Sequence, residues 1–463
     1  MALTMPISEE KLATLRGAVR GPIITPSDDG YDEARAVNNG MIDKRPALIA
    51  RCTDAADVVT MLTFAREEGV DLAVRGGGHN GPGLGTVEGG VVIDLAGMKG
   101  VRVDPEASTA RVAGGATLGD VDHALDAFGL AVPSGIVSTT GVGGITLGGG
   151  TGYLTRKFGL AIDSLLEADV VLADGRQVTA SADEHPDLFW ALRGGGGNFG
   201  VVTSFQFRAH SLGQLYAGPI LWDADRSADV MRFWQDTIDN ADDDLNGFFA
   251  FLKVPPAPPF PEELHLKPMC GIVWCYTGPQ EKAEEVFKPI RAFGPPVLDM
   301  AGPMPLKVLN SLFDPLYPPG LQWYWKADFM GPLDDQVIAR HLEYGLNLPT
   351  WMSTMHLYPM TGAAARVGNA ETAFSYRDAR YNMVMAGIDA DPANNENNIA
   401  WARSYWDALH PFSTGGGAYV NFMMEEGEDR VRASYRGNYD RLVEVKRRYD
   451  PGNLFHVNQN IRP

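Results

Sequence analysis

The sequence predicts an α+β protein of two domains, and three observations carry that reading. Its 463 residues exceed what one ordinary hydrophobic core organises. Glycine clusters crowd the chain up to Gly200. Beyond about Ala209 they give way to proline and aromatic residues, and Pro255-Pro256-Ala257-Pro258-Pro259 interrupts any regular element. The boundary is expected near His210, with residues 1–208 forming the N-terminal part of the first domain and residue 209 opening the second.

The elements follow in order. Thr53 or Asp54 can cap a helix whose apolar positions Val58, Leu62 and Ala65 recur at helical spacing, and Gly69 ends it before a strand over 71–74. Strands are expected over 91–95 and 110–113. Leu118, Val121, Leu125 and Phe128 then mark an amphipathic helix. Segments 165–172 and 177–179 flank Asp174-Gly175, a hairpin turn signal. A helical stretch from Pro186 to Leu192 leads through a glycine loop to a strand over 201–207. In the second domain, strands over 271–276, 321–330, 353–358 and 380–386 and helices over 228–238 and 334–344 suit an antiparallel sheet carrying helices on one face. Residues 389–398 read as a polar loop.

Composition narrows the function classes. A formal net charge of -19 disfavours nucleic acid and anionic membranes as partners, since both require a positive surface. The N-terminal ten residues hold neither a basic segment nor an apolar one, and no apolar run has the length of a membrane span, so a cytoplasmic protein is expected. Cys52, Cys270 and Cys275 lack metal-ligand spacing; no metal is expected, and Cys270 and Cys275 alone are left as thiols that could meet in space.

Three glycine clusters carry the chemical signal. Val74 to Asn80 reads Val-Arg-Gly-Gly-Gly-His-Asn; the amides of Gly76, Gly77 and Gly78 can close on an oxyanion, with the His79 imidazole beside it. No Gly-Lys-Ser/Thr follows, and no Gly-x-Gly-x-x-Gly opens a helix. Alone, this run is compatible with a glycine turn and an incidental histidine. Thr139 to Gly152 is too glycine-dense for a core element and too apolar for a flexible linker, which suggests backbone laid against a flat ligand. Arg193 to Gly200 forms the third loop, and three such loops in one domain suggest one long cofactor.

These residues resemble the vanillyl-alcohol oxidase or p-cresol methylhydroxylase flavoprotein superfamily, in its berberine-bridge-enzyme-like branch. The resemblance runs from about Arg45 to Pro463, through Arg75–Asn80, Gly141–Gly159, Asp187–Val202, Tyr419–Gly427 and the tail Tyr449–Ile461. It implies an FAD-binding domain that ends with a C-terminal return over 418–463, leaving 209–417 as an inserted substrate domain. It also implies FAD bonded to His79 through the flavin 8α-methyl, a bond that in the family raises the flavin potential. A neutral imidazole is a competent nucleophile for it. The family's second, cysteinyl attachment falls on Val137, so one covalent bond is expected. Cofactor contacts are expected from Arg75, Gly76, Gly77, Gly78, His79, Asn80, Thr139, Gly141, Gly143, Gly144, Gly149, Gly152, Gly195, Gly196, Asn198, Gly200, Val201, Val202, Tyr419, Asn421, Asn458 and Asn460.

Substrate chemistry is read from strand alternation, which puts Gln322, Tyr324 and Lys326 on one face and Trp323, Trp325 and Ala327 on the other. Thr354, His356 and Tyr358 share a face, as do Trp274 and Tyr276, and Asn382 and Val384. The pocket is expected to be aromatic and flat-walled. Where relatives carry a glutamate or glutamine this chain has Val384, leaving Tyr153, His356, Tyr358 and Tyr419 as candidate bases, with Tyr419 and His356 preferred. Lys326 either steers a carboxylate or packs its stem inside with its head in solvent. Thr140 occupies the family's oxygen-gate position, and a small side chain there leaves room for dioxygen. The expected activity is an FAD-dependent oxidase acting with dioxygen on an alcohol, amine or activated ring carbon of an aromatic or polycyclic small molecule. A monooxygenase or oxidative cyclase of secondary metabolism, and a flavin-binding protein without turnover, are the alternatives. Oligomeric state is open.

Overall fold

A computed structural model describes residues 7–463; residues 1–6, which carry much of the N-terminal expectation above, lie outside the described residues. Two small sheets open the chain. In the first, Leu48–Arg51, Val91–Asp94 and Leu72–Arg75 pair in parallel, with Ile23–Ile24 antiparallel at the edge. The helix Ala55–Glu68 makes the crossover; the Asp54 side chain accepts from the Asp57 amide at its start, and Gly69 ends it at φ 63. Leu72–Arg75 is therefore an edge strand, and the glycine run leaves from its C-terminal end.

The second sheet is antiparallel, in the order Val101–Asp104, Thr109–Ala113, Val201–Arg208, Leu165–Val171, Gln177–Ser181. The expected hairpin about Asp174-Gly175 is its outer pair.

The large sheet runs Leu298–Asp299, Leu215–Asp223, Pro268–Tyr276, Leu245–Lys253, Thr354–Pro359, Tyr381–Asp389, Gln322–Met330, with Gly302–Met304 pairing beside Leu215–Asp223. One face carries the helices Ser227–Asn240, Ala283–Ala292, Asp335–Gly345 and Asn395–Leu409 over a core that includes Trp222, Trp234, Trp274, Phe249 and Phe251. The other face presents Phe248, Ala250, Tyr358 and Val384. Both faces are largely apolar because both are covered, one by helices and one by the glycine-rich half.

Several expectations change. Val142–Gly148, inside the stretch read as too glycine-dense for an element, is a helix with Val142, Thr146 and Leu147 buried. The polar loop 389–398 ends early, since Asn395–Leu409 is a helix with Trp401 and Tyr405 packed inward. Cys270 and Cys275 cannot meet, because five residues along one extended strand put them on opposite faces of the large sheet. Trp274 and Tyr276 pack under the helices and do not face the glycine-rich half. Among the described residues no helix is long and apolar enough to cross a membrane, and no cluster of metal-ligating side chains occurs.

Candidate active site

One cavity of about 340 Å³ runs between the glycine-rich half and the open face of the large sheet. All three glycine loops line it. The first two meet backbone to backbone: a Cβ on Gly77 would lie 2.3 Å from the Gly141 nitrogen, so both positions require glycine. That approach brings Thr139 beside His79, with Oγ1 3.0 Å from Nε2. Burial holds the His79 pKa down to about 4, opposed in part by Thr139, so the imidazole is neutral at pH 7.

The third loop is fixed by the chain's end. Asn198 donates through Nδ2 to the Gly195 and Gln459 carbonyls, at 3.0 and 3.1 Å, and accepts from the Ile461 amide at 3.0 Å. Asn458 Nδ2 donates to the Gly197 carbonyl at 3.1 Å. Below them, the fully buried Lys446 donates to the Asn198 carbonyl and to Asp450, both at 2.7 Å. The tail is thus part of the loop it closes.

The residues fit a long cofactor. A Cβ on Gly144, which lines the cavity, would meet nothing within 4 Å, so the first turn of the helix Val142–Gly148 presents bare backbone there. The Tyr435 hydroxyl, buried at the same wall, has no hydrogen-bond partner.

Opposite the glycines stands the sheet wall of Trp323, Trp325, Thr354, His356, Tyr358, Val384 and Ala386. The two tryptophans stand in the wall and leave the cavity open. His356 Nδ1 lies 2.7 Å from the Tyr358 hydroxyl, and Phe248 packs behind both rings at 4.8 and 5.0 Å. Burial lowers the His356 pKa to about 3 and raises that of Tyr358. Val384 faces His356 directly across the strand pair. Tyr419 comes from the C-terminal return; its hydroxyl oxygen accepts from the Gly150 amide at 2.9 Å and Asn421 Nδ2 at 2.8 Å, while burial raises its pKa to about 12.

Of the residues singled out in the sequence, the cavity wall brings together Arg75, Gly76, Gly77, Gly78, His79, Asn80, Thr140, Gly141, Gly143, Gly144, Gly196, Asn198, Gly200, Val202, His356, Tyr358, Tyr419, Asn421 and Asn458. Arg75 lines it with its guanidinium already engaged, by Asp94 at 2.9 Å and the Ala34 carbonyl at 2.7 Å. It braces the loop from below.

Other expected residues stand off the wall. Gly149 packs against Phe374 and Tyr419, Gly152 against the Ser134 and Gly135 carbonyls, and Gly195 against Ala191 and Leu442. Val201 belongs to the core beneath the parallel sheet. Thr139 reaches the site only through His79, and Asn460 keeps a buried Oδ1 without a partner. Tyr153 is enclosed in a core cluster. Lys326 is on the helix-covered face, 2.5 Å from Glu426 and 4.3 Å from the Trp406 ring, so neither the substrate-steering nor the solvent-headed reading holds. Sequence reasoning missed Phe313, Tyr317, Phe422 and Tyr435, which complete the wall. Phe313 and Tyr317 sit in a turn-rich stretch whose only sequence signal is their four-residue separation.

Glycine loops around one long cavity, a neutral histidine at its edge and an aromatic wall opposite define an FAD-linked oxidoreductase. Residues 46–181 match the family described as "FAD binding domain", and residues 418–462 that described as "Berberine and berberine like". The chain is 30% identical to (R)-6-hydroxynicotine oxidase of Paenarthrobacter nicotinovorans, over 98% of its own length and 99% of the relative's. It is 29% identical to xylooligosaccharide oxidase of Thermothelomyces thermophilus, over 92% and 89%. The crystal structure of 6-hydroxy-D-nicotine oxidase from Arthrobacter nicotinovorans superposes with a TM-score of 0.83 at 29% identity, covering 96% of this chain and 98% of that one. The chain belongs to the berberine-bridge-enzyme-like FAD-linked oxidases of the vanillyl-alcohol oxidase and p-cresol methylhydroxylase superfamily.

Proposed function

We propose that this FAD-linked oxidase holds its cofactor through a single covalent bond at His79 and takes a hydride from an alcohol, amine or activated ring carbon of an aromatic or polycyclic small molecule, with dioxygen as final acceptor and hydrogen peroxide as product. The observation that carries the reading is the continuity of one cavity from His79 and the glycine loops to an aromatic wall. Bound FAD supplies the hydride acceptor.

The chain's own residues do the rest. His79 is neutral and therefore nucleophilic; in the tautomer whose Nε2 proton is donated to Thr139 Oγ1, the Nδ1 lone pair is free for attachment. The backbone amides of 76–78, 143–144 and 197 are free to cradle the cofactor's phosphates, whereas those of Gly194, Gly195 and Gly196, also expected there, already donate to the Leu147 and Ala191 carbonyls. Val137 offers no second nucleophile. Thr140 leaves space for dioxygen. Among proton acceptors, Tyr419 receives two hydrogen bonds that stabilise a phenolate, against a burial that raises its pKa to about 12. His356 and Tyr358 share a proton between neutral partners. Relatives named as oxidases of hydroxynicotine and of xylooligosaccharides support the reaction type.

The test is anaerobic reduction of the holoenzyme by substrate followed by admission of air. Full reoxidation with one peroxide per flavin is expected. A reduced enzyme that persists in air, or labelled dioxygen appearing in the organic product, contradicts the oxidase reading.

A further inference from the structure

The substrate-facing half of the cavity carries no formal charge. Among the described residues no aspartate, glutamate or lysine lines the cavity, and the one guanidinium in its wall, that of Arg75 at the glycine end, is engaged by Asp94 beneath the first loop. An ammonium or carboxylate entering such a space loses its hydration without gaining a counter-ion. Polar groups on the wall are also few. The Thr354 hydroxyl donates to the Phe251 carbonyl at 2.8 Å, and the Tyr419 oxygen is filled by two donors, so that it keeps only its own proton to give. An oligosaccharide, which needs a partner for each of many hydroxyls, finds little here.

The exception is the pair His356 and Tyr358. The hydroxyl and Nδ1 satisfy one another at 2.7 Å, and each group keeps one further hydrogen-bonding position. Phe248 fixes both rings from behind, and Val384 across the strand adds no competing polar atom.

We infer that this pair reads the hydroxyl of an uncharged aromatic or polycyclic alcohol and accepts its proton during oxidation, an inference that rests on the oxidase reading above. The step balances as follows. The carbinol C–H bond breaks and its electron pair leaves with the hydrogen as hydride to FAD. The C–O bond becomes a carbonyl. The hydroxyl proton passes to the Tyr358 oxygen as the tyrosine's own proton passes to His356 Nδ1. Alcohol is oxidised, bound FAD would take the electron pair, and the imidazole carries the proton only in passing before giving it up to solvent, because burial holds its pKa down to about 3. Tyr358 is the catalytic residue of the pair, and His356 receives the relayed proton.

Binding is read first, from perturbation of the holoenzyme's flavin absorbance by naphthol, naphthoate, naphthylmethylamine and cellobiose. Naphthol is expected to bind at least about tenfold more tightly than the other three and than naphthalene, and Tyr358→Phe to remove the advantage over naphthalene. Tighter binding of the carboxylate, the ammonium or the sugar, or no perturbation by naphthol, overturns the inference. Anaerobic reduction by naphthalenemethanol is expected to slow by about a hundredfold or more in Tyr358→Phe at saturating alcohol, with the solvent isotope effect altered. An unchanged rate overturns the relay. Rapid reduction by cellobiose or the amine would refute the substrate class while the oxidase reading stands; flavin that no organic compound reduces would refute both.

Discussion

The two faces of the strand Gln322–Met330 are built from alternate residues of one sequence, yet they hold opposite chemistry. On the helix-covered side, Lys326 and Asp328 join Glu426 and Arg430 in a buried ionic cluster roofed by Trp406, with the half-exposed His410 hydrogen-bonded to Asp328 at its edge. On the cavity side, Trp323 and Trp325 present only aromatic surface, and the nearest polar groups, His356 and Tyr358, are held neutral. Charge is used where the C-terminal return must be fastened to the sheet and is withheld where a substrate must lie flat. A strand that alternates lysine with tryptophan is therefore no sign of a charged pocket.

The largest effect should come from cutting the ionic cluster. Asp328 is fully buried and bonds Arg430 at 2.7 Å and His410 at 3.0 Å. Asp328→Ala leaves the buried Arg430 guanidinium with only the longer 3.6 Å approach to Glu426 and is expected to cost about 3–5 kcal/mol of stability in denaturant titration. A loss below about 1 kcal/mol would show that the cluster is not the fastening it is taken for.

A second joint is neutral in a different way. Asp122, buried on the helix Leu118–Asp126, accepts from Asn310 Nδ2 at 2.6 Å, while Asn310 Oδ1 has no partner. Burial raises the Asp122 pKa to about 7, and a protonated carboxyl would satisfy that amide oxygen as well. The folded state then holds a proton that the unfolded chain releases near pH 4, so this contribution is complete below that pH and is lost as pH rises through about 7. Between pH 5 and 8 the wild type should lose about 2–3 kcal/mol more than Asp122→Asn. Parallel stability profiles would mean that Asp122 is ionised throughout.

The smallest effect separates the two faces most cleanly. Lys326→Met removes the Glu426 partner, but Arg430 Nε remains 3.6 Å from the same carboxylate, so a cost of about 1–2 kcal/mol is expected. The Michaelis constants of acidic and neutral substrates should move together. A selective rise for acidic substrates would return Lys326 to the substrate site.

Much of this was legible in the sequence wherever local rules act alone. Asp54 and Gly69 bound their helix by capping and left-handed geometry, and alternation assigned the correct faces to Lys326, Trp325 and His356. The misses came from tertiary contact. Val142–Gly148 is helical despite its glycines because packing over Val142 and Leu147 outweighs propensity. The pairing of Lys326 with Glu426 joins residues far apart in sequence, which no periodicity reports. Asn198 was expected at the cofactor, whereas its bonds to Gln459 and Ile461 also knot the tail to the third loop.

The central claim is that the cavity's glycine end is a covalent flavin site with His79 as the tether. It is tested most directly by acid-denaturing the purified protein and recording absorbance and intact mass beside His79→Ala. The account predicts yellow colour and the mass of one FAD retained on the wild-type polypeptide and absent from the variant. Colour released from the wild type on denaturation, or retained by the variant, would contradict it.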